Sequence, residues 1–290
     1  MTTFSLLNTV DDLDFSGRGL GPTITIDPLD RYVSRLAALT GLVHYLDARS
    51  AIGVKVFNSR GGDRRKQFQW TSDDMAVVAS DPAYNGYPVF NFTDDDCDMV
   101  GPLGTPTSSY TVIAICDIQA ARLAGNVASF LAATYSPEID PGTSLPYGGE
   151  IAIQYALSAD VFSHSPEVNT GGNALNVAQA VMTAAGMAGD TPCVLAVSYD
   201  GTPASGSRSS RIYLNDGLNA RGSKTNHTQG PRVGPTTRWA VGWNQFGVDT
   251  GWVGRIARMI ILPQAVHANS QALTAFSDVV EAAKDLFGIA

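Results

Sequence analysis

The chain has 290 residues, 44% of them hydrophobic and 16% charged, which places it well outside the disordered range and supplies apolar material for a large folded domain. Its formal net charge of −8 argues against a nucleic-acid binder, which would carry a basic face; the short cluster Arg64-Arg65-Lys66 reads as a solvated loop. Three cysteines, Cys97, Cys116 and Cys193, stand far apart with no CxxC spacing, so neither a zinc site nor a disulfide framework is indicated.

The first residues, "MTTFSLLNTVDDLDF", lack a basic segment followed by an apolar one, and no apolar run approaches the length of a membrane span. Synthesis in a cytoplasm, without a signal peptide and without membrane insertion, is the expectation. Residues 1–40 read as an N-terminal arm that docks on other proteins. The arm holds a flexible turn "GRGLGP", a short strand "TITID", and a helix over "DPLDRYVSRLAAL". Asp27 is positioned as N-cap and Pro28 as the first helical residue, and Leu29, Tyr32, Val33, Leu36 and Leu39 share one face.

From residue 41 the pattern changes to short strands rich in Val, Ile, Tyr and Phe, punctuated by Gly, Pro, Asn and Asp. They include "LVHYLDA", "YPVFNF", "YTVIAICDI", "SFLAATY", "EIAIQYAL", "CVLAVSYD", "RIYLND", "RWAVGW" and "GRIARMIIL". "CVLAVSYD" alternates, with Cys193, Leu195, Val197 and Tyr199 on one face, whereas "YTVIAICDI" is apolar on both, as a central strand under a covering layer should be. The segment Ala174 to Asp190 is ambiguous between a strand pair and a short helix. A closing amphipathic helix spans 270–288, with Ser270 as the expected N-cap and Gly288 as its stop.

The succession "VSYDG", "RIYLNDG", "RWAVGW" and "GWVGRIARMIILPQAV" resembles the second half of a laminin G-like, or concanavalin A-like, jelly-roll domain, and the upstream strands are similar to its first half. Asp216 stands between Asn215 and Gly217, a departure that keeps the turn chemistry. The resemblance covers residues 41–290 and implies an all-β jelly-roll sandwich. In chains without a signal peptide it also implies a virion structural protein of a tailed bacteriophage, decorating the capsid or belonging to a tail or fibre. Calcium is a cofactor that some such domains bind.

Four groups of residues carry candidate chemistry. Glu138-Ile139-Asp140 resembles the start of the E-[IL]-D-x-E signature of jelly-roll β-glucanases, but Gly142 stands where the proton-donating Glu is needed and Pro137 and Pro141 bracket a loop. No catalytic pair is therefore expected. Asp94, Asp96 and Asp98 have the alternation of a calcium loop or of a hydrated turn. His44, His164, His227 and His267 are isolated in sequence, with no HExxH or GxSxG pattern, although distant residues could converge. Trp239, Trp243 and Trp252, with Asn244, read either as core or as a glycan-binding surface, since indole faces stack on sugar rings while amides bond hydroxyls.

The sequence-based expectation is therefore a non-enzymatic virion protein, present in many copies or as a homo-oligomer. It would bind other virion proteins through its arm, with host cell-surface glycan as a further partner, and neither nucleic acid nor membrane. The alternative is a lectin-like receptor-binding module, with an active glycoside hydrolase a distant third.

Overall fold

A computed structural model describes residues 27–39, 44–52, 55–57, 67–70, 75–94, 99–101, 107–125, 127, 129–142, 144–146, 151–156, 161–165, 180–183, 187–228, 230, 233–242 and 251–290. In chain order the elements begin with helix α1 (Pro28–Ala38), then strands β1 (His44–Asp47), β2 (Ala51–Ile52), β3 (Lys55–Phe57), β4 (Gln67–Trp70), β5 (Met75–Asp81) and β6 (Tyr87–Phe92). There follow β7 (Met99–Val100), β8 (Tyr110–Cys116), helix α2 (Ala120–Gly125), β9 (Ser129–Tyr135), β10 (Ile139–Asp140), β11 (Leu145–Pro146) and β12 (Ile151–Ala156). The last are β13 (Val161–Ser165), β14 (Ala180–Thr183), β15 (Cys193–Asp200), β16 (Arg208–Leu214), β17 (Gly222–His227), β18 (Arg238–Val241), β19 (Gly254–Leu262) and helix α3 (Ser270–Phe287).

Two large sheets face each other. One runs β17-β16-β15-β8-β19-β6-β5, with β1 also paired to β19; the other runs β14-β13-β12-β9-β18-β7-β4-β3-β2. The strand pairings within both sheets are antiparallel. The chain passes back and forth between the sheets, from β6 to β7 to β8 to β9 and again from β17 to β18 to β19, which is the path of a jelly-roll sandwich.

The alternation read in the strands divides two cores. Tyr110, Val112, Ala114 and Cys116 of β8 point between the sheets with Cys193, Leu195, Val197 and Tyr199 of β15, whereas Ile113, Ile115, Val194 and Ala196 point outward beneath the helices. The central sheet is therefore covered twice, once by the second sheet and once by α1 and α3. Cys116 and Cys193 are directly opposed across the β8–β15 ladder, both as buried free thiols. The hydrogen bond to Cys193, with burial, pushes the Cys116 thiol well above its ordinary range. These are core residues, as their apolar surroundings predicted; Cys97 lies outside the described residues.

Asp27 Oδ1 accepts from Leu29 N at 2.7 Å and Pro28 opens α1, as expected. For α3 the cap is Asn269, one residue before the expected Ser270. Asn269 has extended backbone, φ −139°, and its Oδ1 accepts from Gln271 N and Ala272 N at 2.9 and 3.1 Å, while Ser270 is already helical. Gly288 closes the helix in the left-handed conformation at φ 68°.

The described part of the predicted docking arm is built into the chain's own fold. Tyr32, Leu36 and Leu39 of that segment are buried in the outer core, the Tyr32 and Phe287 rings meet edge to face at 6.1 Å, and Arg31 pairs with Asp285 at 2.6 Å. "GRGLGP" and most of "TITID" lie outside the described residues. Of the ambiguous 174–190 segment, residues 180–183 form β14.

Candidate functional site

The residues picked out from sequence disperse. Trp239 is buried between the sheets with its ring edge-on to Tyr110 at 5.2 Å, and Trp252 is buried in the same core, so neither indole offers a face to a sugar. For these two the core alternative holds, because both side chains pack in the core between the two sheets. Trp243 and Asn244 lie outside the described residues, as do Asp96 and Asp98; Asp94 is exposed in the bend after β6. Among the described residues no group of three His, Cys, Asp or Glu side chains is arranged to hold a metal. Glu138 is exposed beside β10, which pairs only with β11 in a two-stranded ladder off both sheets.

Histidines isolated in sequence do converge. His164 of β13 and His227 of β17 approach to 6.5 Å between ring centres inside the sandwich, where Tyr110 bonds His164 Nε2 at 2.8 Å and Ser210 bonds His227 Nε2 at 2.7 Å. His227 faces inward because β17 bulges: the ladder shifts between Arg208 and Ser209, and Asn226 takes the left-handed φ of 68°. Burial, then the neighbouring His227 and His267, hold the His164 pKa well below the ordinary range. His44 is buried edge-on to Phe68.

On the opposite face of the same strand lies an open site. Cross-strand partners share a face, so Ser209 and Thr225, and Arg211 and Ser223, stand together on the outer side of β16 and β17. Tyr213, two residues further on, is covered by Phe276 of α3 with ring centres 5.1 Å apart. The helix layer thus ends at Tyr213, and beyond it opens a cavity of about 390 Å³ lined by Ser209, Arg211, Leu218, Asn219, Ser223 and Thr225, among others.

The far wall is the β16–β17 connection, and it is fixed. Asp216 accepts from Leu218 N at 2.8 Å, Asn219 N at 2.9 Å and Asn219 Nδ2 at 2.9 Å, bonds that hold its carboxyl below the usual range. Asn215 is left-handed at φ 54° and its Oδ1 accepts from Val194 N at 2.8 Å. Gly217 seats this wall on α3: a Cβ there would lie 2.3 Å from Ser277 Cα, so only glycine permits the approach.

His267, on the short turn preceding α3, links the cavity to the sheet. Its Nδ1 lies 2.7 Å from Ser198 Oγ and its Nε2 lies 2.9 Å from Ser209 Oγ. Thr111 donates to Gln264 O at 2.7 Å and lies 3.2 Å from Ser198 Oγ. Both contacts form in either tautomer: Ser198 donates to Nδ1 while Nε2–H donates to Ser209, or Nδ1–H donates to Ser198 while Ser209 donates to Nε2. Burial, then Arg211, lower the His267 pKa to about 4, so the imidazole is neutral at pH 7.

Two cations line this cavity, Arg211 and Lys224, and no carboxylate pairs with Arg211 among the described residues. Asp200, close enough to influence His267, has Oδ1 engaged by Ser109 Oγ, Thr202 N and Thr202 Oγ1. Elsewhere, Arg255 pairs with Asp117 and Asp81, and the buried Arg258 pairs with Asp47. The site can therefore accept an anionic or hydrogen-bonding ligand.

Neither a family model nor a curated protein matches the chain. Solved structures do. A Trypanosoma rangeli sialidase in complex with sialic acid is similar at a TM-score of 0.52 and 11% identity, over 86% of this chain and 38% of the sialidase. An HCR/D mutant is similar at 0.51 and 9% identity, over 84% of this chain and 52% of that one. The binding domain of Paraclostridial Mosquitocidal Protein 1 matches at 0.48 and 9% identity, over 82% and 52% of the two chains. This chain thus spans about two-fifths to half the length of these proteins, and at such identities the likeness is one of fold: an all-β sandwich.

Proposed function

We propose that this chain is a non-enzymatic carbohydrate-binding β-sandwich, and that it serves as a laminin G-like structural protein of a bacteriophage virion. The observation that carries the binding role is Arg211, a guanidinium without a carboxylate partner among the described residues, set in a cavity lined by serine and threonine hydroxyls and an asparagine. Polyhydroxylated ligands are recognised by such arrays of donors and acceptors, and about 390 Å³ lies at the lower end of the range for small-ligand sites. The exposed Leu218 on the rim gives an apolar patch for the C–H face of a sugar ring. The sialidase bound to sialic acid supports the reading as a fold that occurs in proteins acting on sugars.

The non-enzymatic part rests on chemistry. A histidine with a pKa near 4 is a weak base, and Glu138 lacks a second carboxyl at position 142. The virion part rests on the family resemblance, with docking through residues 1–26, because α1 is committed to the chain's own core.

The test is binding of the purified chain to a panel of host-surface polysaccharides, with Ser223→Trp to fill the cavity. Binding lost in the variant at an unchanged thermal midpoint is the expected result. Failure to bind any member, or binding indifferent to the tryptophan, overturns the glycan reading. Absence of the chain from purified particles overturns the virion role.

A further inference from the structure

We infer that the ligand of the Arg211 cavity is an acidic glycan, one carrying carboxylate or sulfate groups on an otherwise neutral chain. This rests on the glycan-binding reading and names its ligand class. A half-buried guanidinium is held beside an imidazole kept neutral by its surroundings, and no carboxylate pairs with it among the described residues. Arg31, Arg35, Arg255 and Arg258 each pair with a carboxylate, whereas Arg208 bonds Pro203 O and Arg238 lies over the Tyr135 ring. An arginine without a carboxylate partner in the wall of a cavity provides a planar fork of donors, which two oxygens of one acidic group satisfy together.

The surroundings define the rest of that ligand. Arg211 is joined by Lys224, by the hydroxyls of Ser209, Ser223 and Thr225 and by Asn219, so the cavity offers cationic contacts and several hydrogen bonds. The net charge of −8 repels a dense polyanion at long range. Acidic groups amid many hydroxyls match the composition of the cavity.

Calorimetry with three oligosaccharides of equal length tests this: a neutral one, its uronate-containing counterpart and its sulfated counterpart. The acidic ligands are expected to bind about tenfold or more tightly than the neutral one, and the comparison of the two identifies the acidic group. Arg211→Gln should erase the preference at an unchanged thermal midpoint, while Arg211→Lys should retain part of it for sulfate and less for carboxylate, whose bidentate match it loses. Equal affinity for neutral and acidic ligands overturns the inference and leaves glycan binding standing. A preference that survives in Arg211→Gln removes Arg211 as its source. No binding of any of the three sinks both the inference and the reading beneath it.

Discussion

Ser209 and Ser210 are neighbours on β16, and each bonds the Nε2 of a histidine: Ser209 that of His267 at 2.9 Å, Ser210 that of His227 at 2.7 Å. The pairs are chemically alike and lie on opposite faces of one sheet. The inner pair is buried beside Tyr199 and His164. The outer pair lies past the end of the helix layer, where the serine lines a cavity. The difference shows that residue type alone does not make a site; what matters is whether the second layer of the sandwich continues over it.

That contrast can be broken by substitution. His227→Ala should cost the fold most, about 2–4 kcal/mol, because it leaves a cavity and strands a buried Ser210 hydroxyl. Urea denaturation reads this directly, and a loss below about 1 kcal/mol would show that the inner pair is not a sealed core contact. Ser209→Ala should reverse the pattern: stability within about 1 kcal/mol of wild type, with glycan affinity down by roughly three- to tenfold. If the stability losses of the two variants are equal, the distinction between the faces fails.

A third expected effect is the dependence on pH. The His267 pKa is lowered to about 4 in the folded chain, while the unfolded chain takes up a proton near 6.5. Stability is thus complete above about pH 6.5 and falls as the pH drops toward 4, by about 1–2 kcal/mol at pH 5 from this group. His164, depressed further by burial, acts in the same direction. Denaturation at pH 7.5 and 5.0 measures the loss, and His267→Gln should remove its share; a flat profile would contradict the depressed imidazoles.

Much of the scaffold is written locally. The two-faced apolar run of β8 requires cover on both sides, and the alternation in β15 assigns each residue to one of the two cores. Asp27-Pro28 and Gly288 bound their helices by short-range chemistry. The tryptophans could not be assigned this way: period-two spacing puts Trp239 on a face, but only the opposing sheet shows that the face is dry. The site was equally hidden, since 58 residues separate Ser209 from His267 and only the path of the chain brings them together. A trace of it is present in "RSSRIYL", whose switch from polar to apolar marks where the helix cover ends.

The bulge at Asn226 has a consequence for neighbouring molecules. It lies on the last strand of its sheet, where an unbroken row of N–H and C=O groups would invite an incoming strand. The left-handed residue interrupts that row and bends the strand, and Lys224 lies just before it, so a second sheet cannot run flush along this margin. The distortion that turns His227 inward therefore also discourages the cavity's rim from fusing edge to edge with another copy, even where copies stand close together.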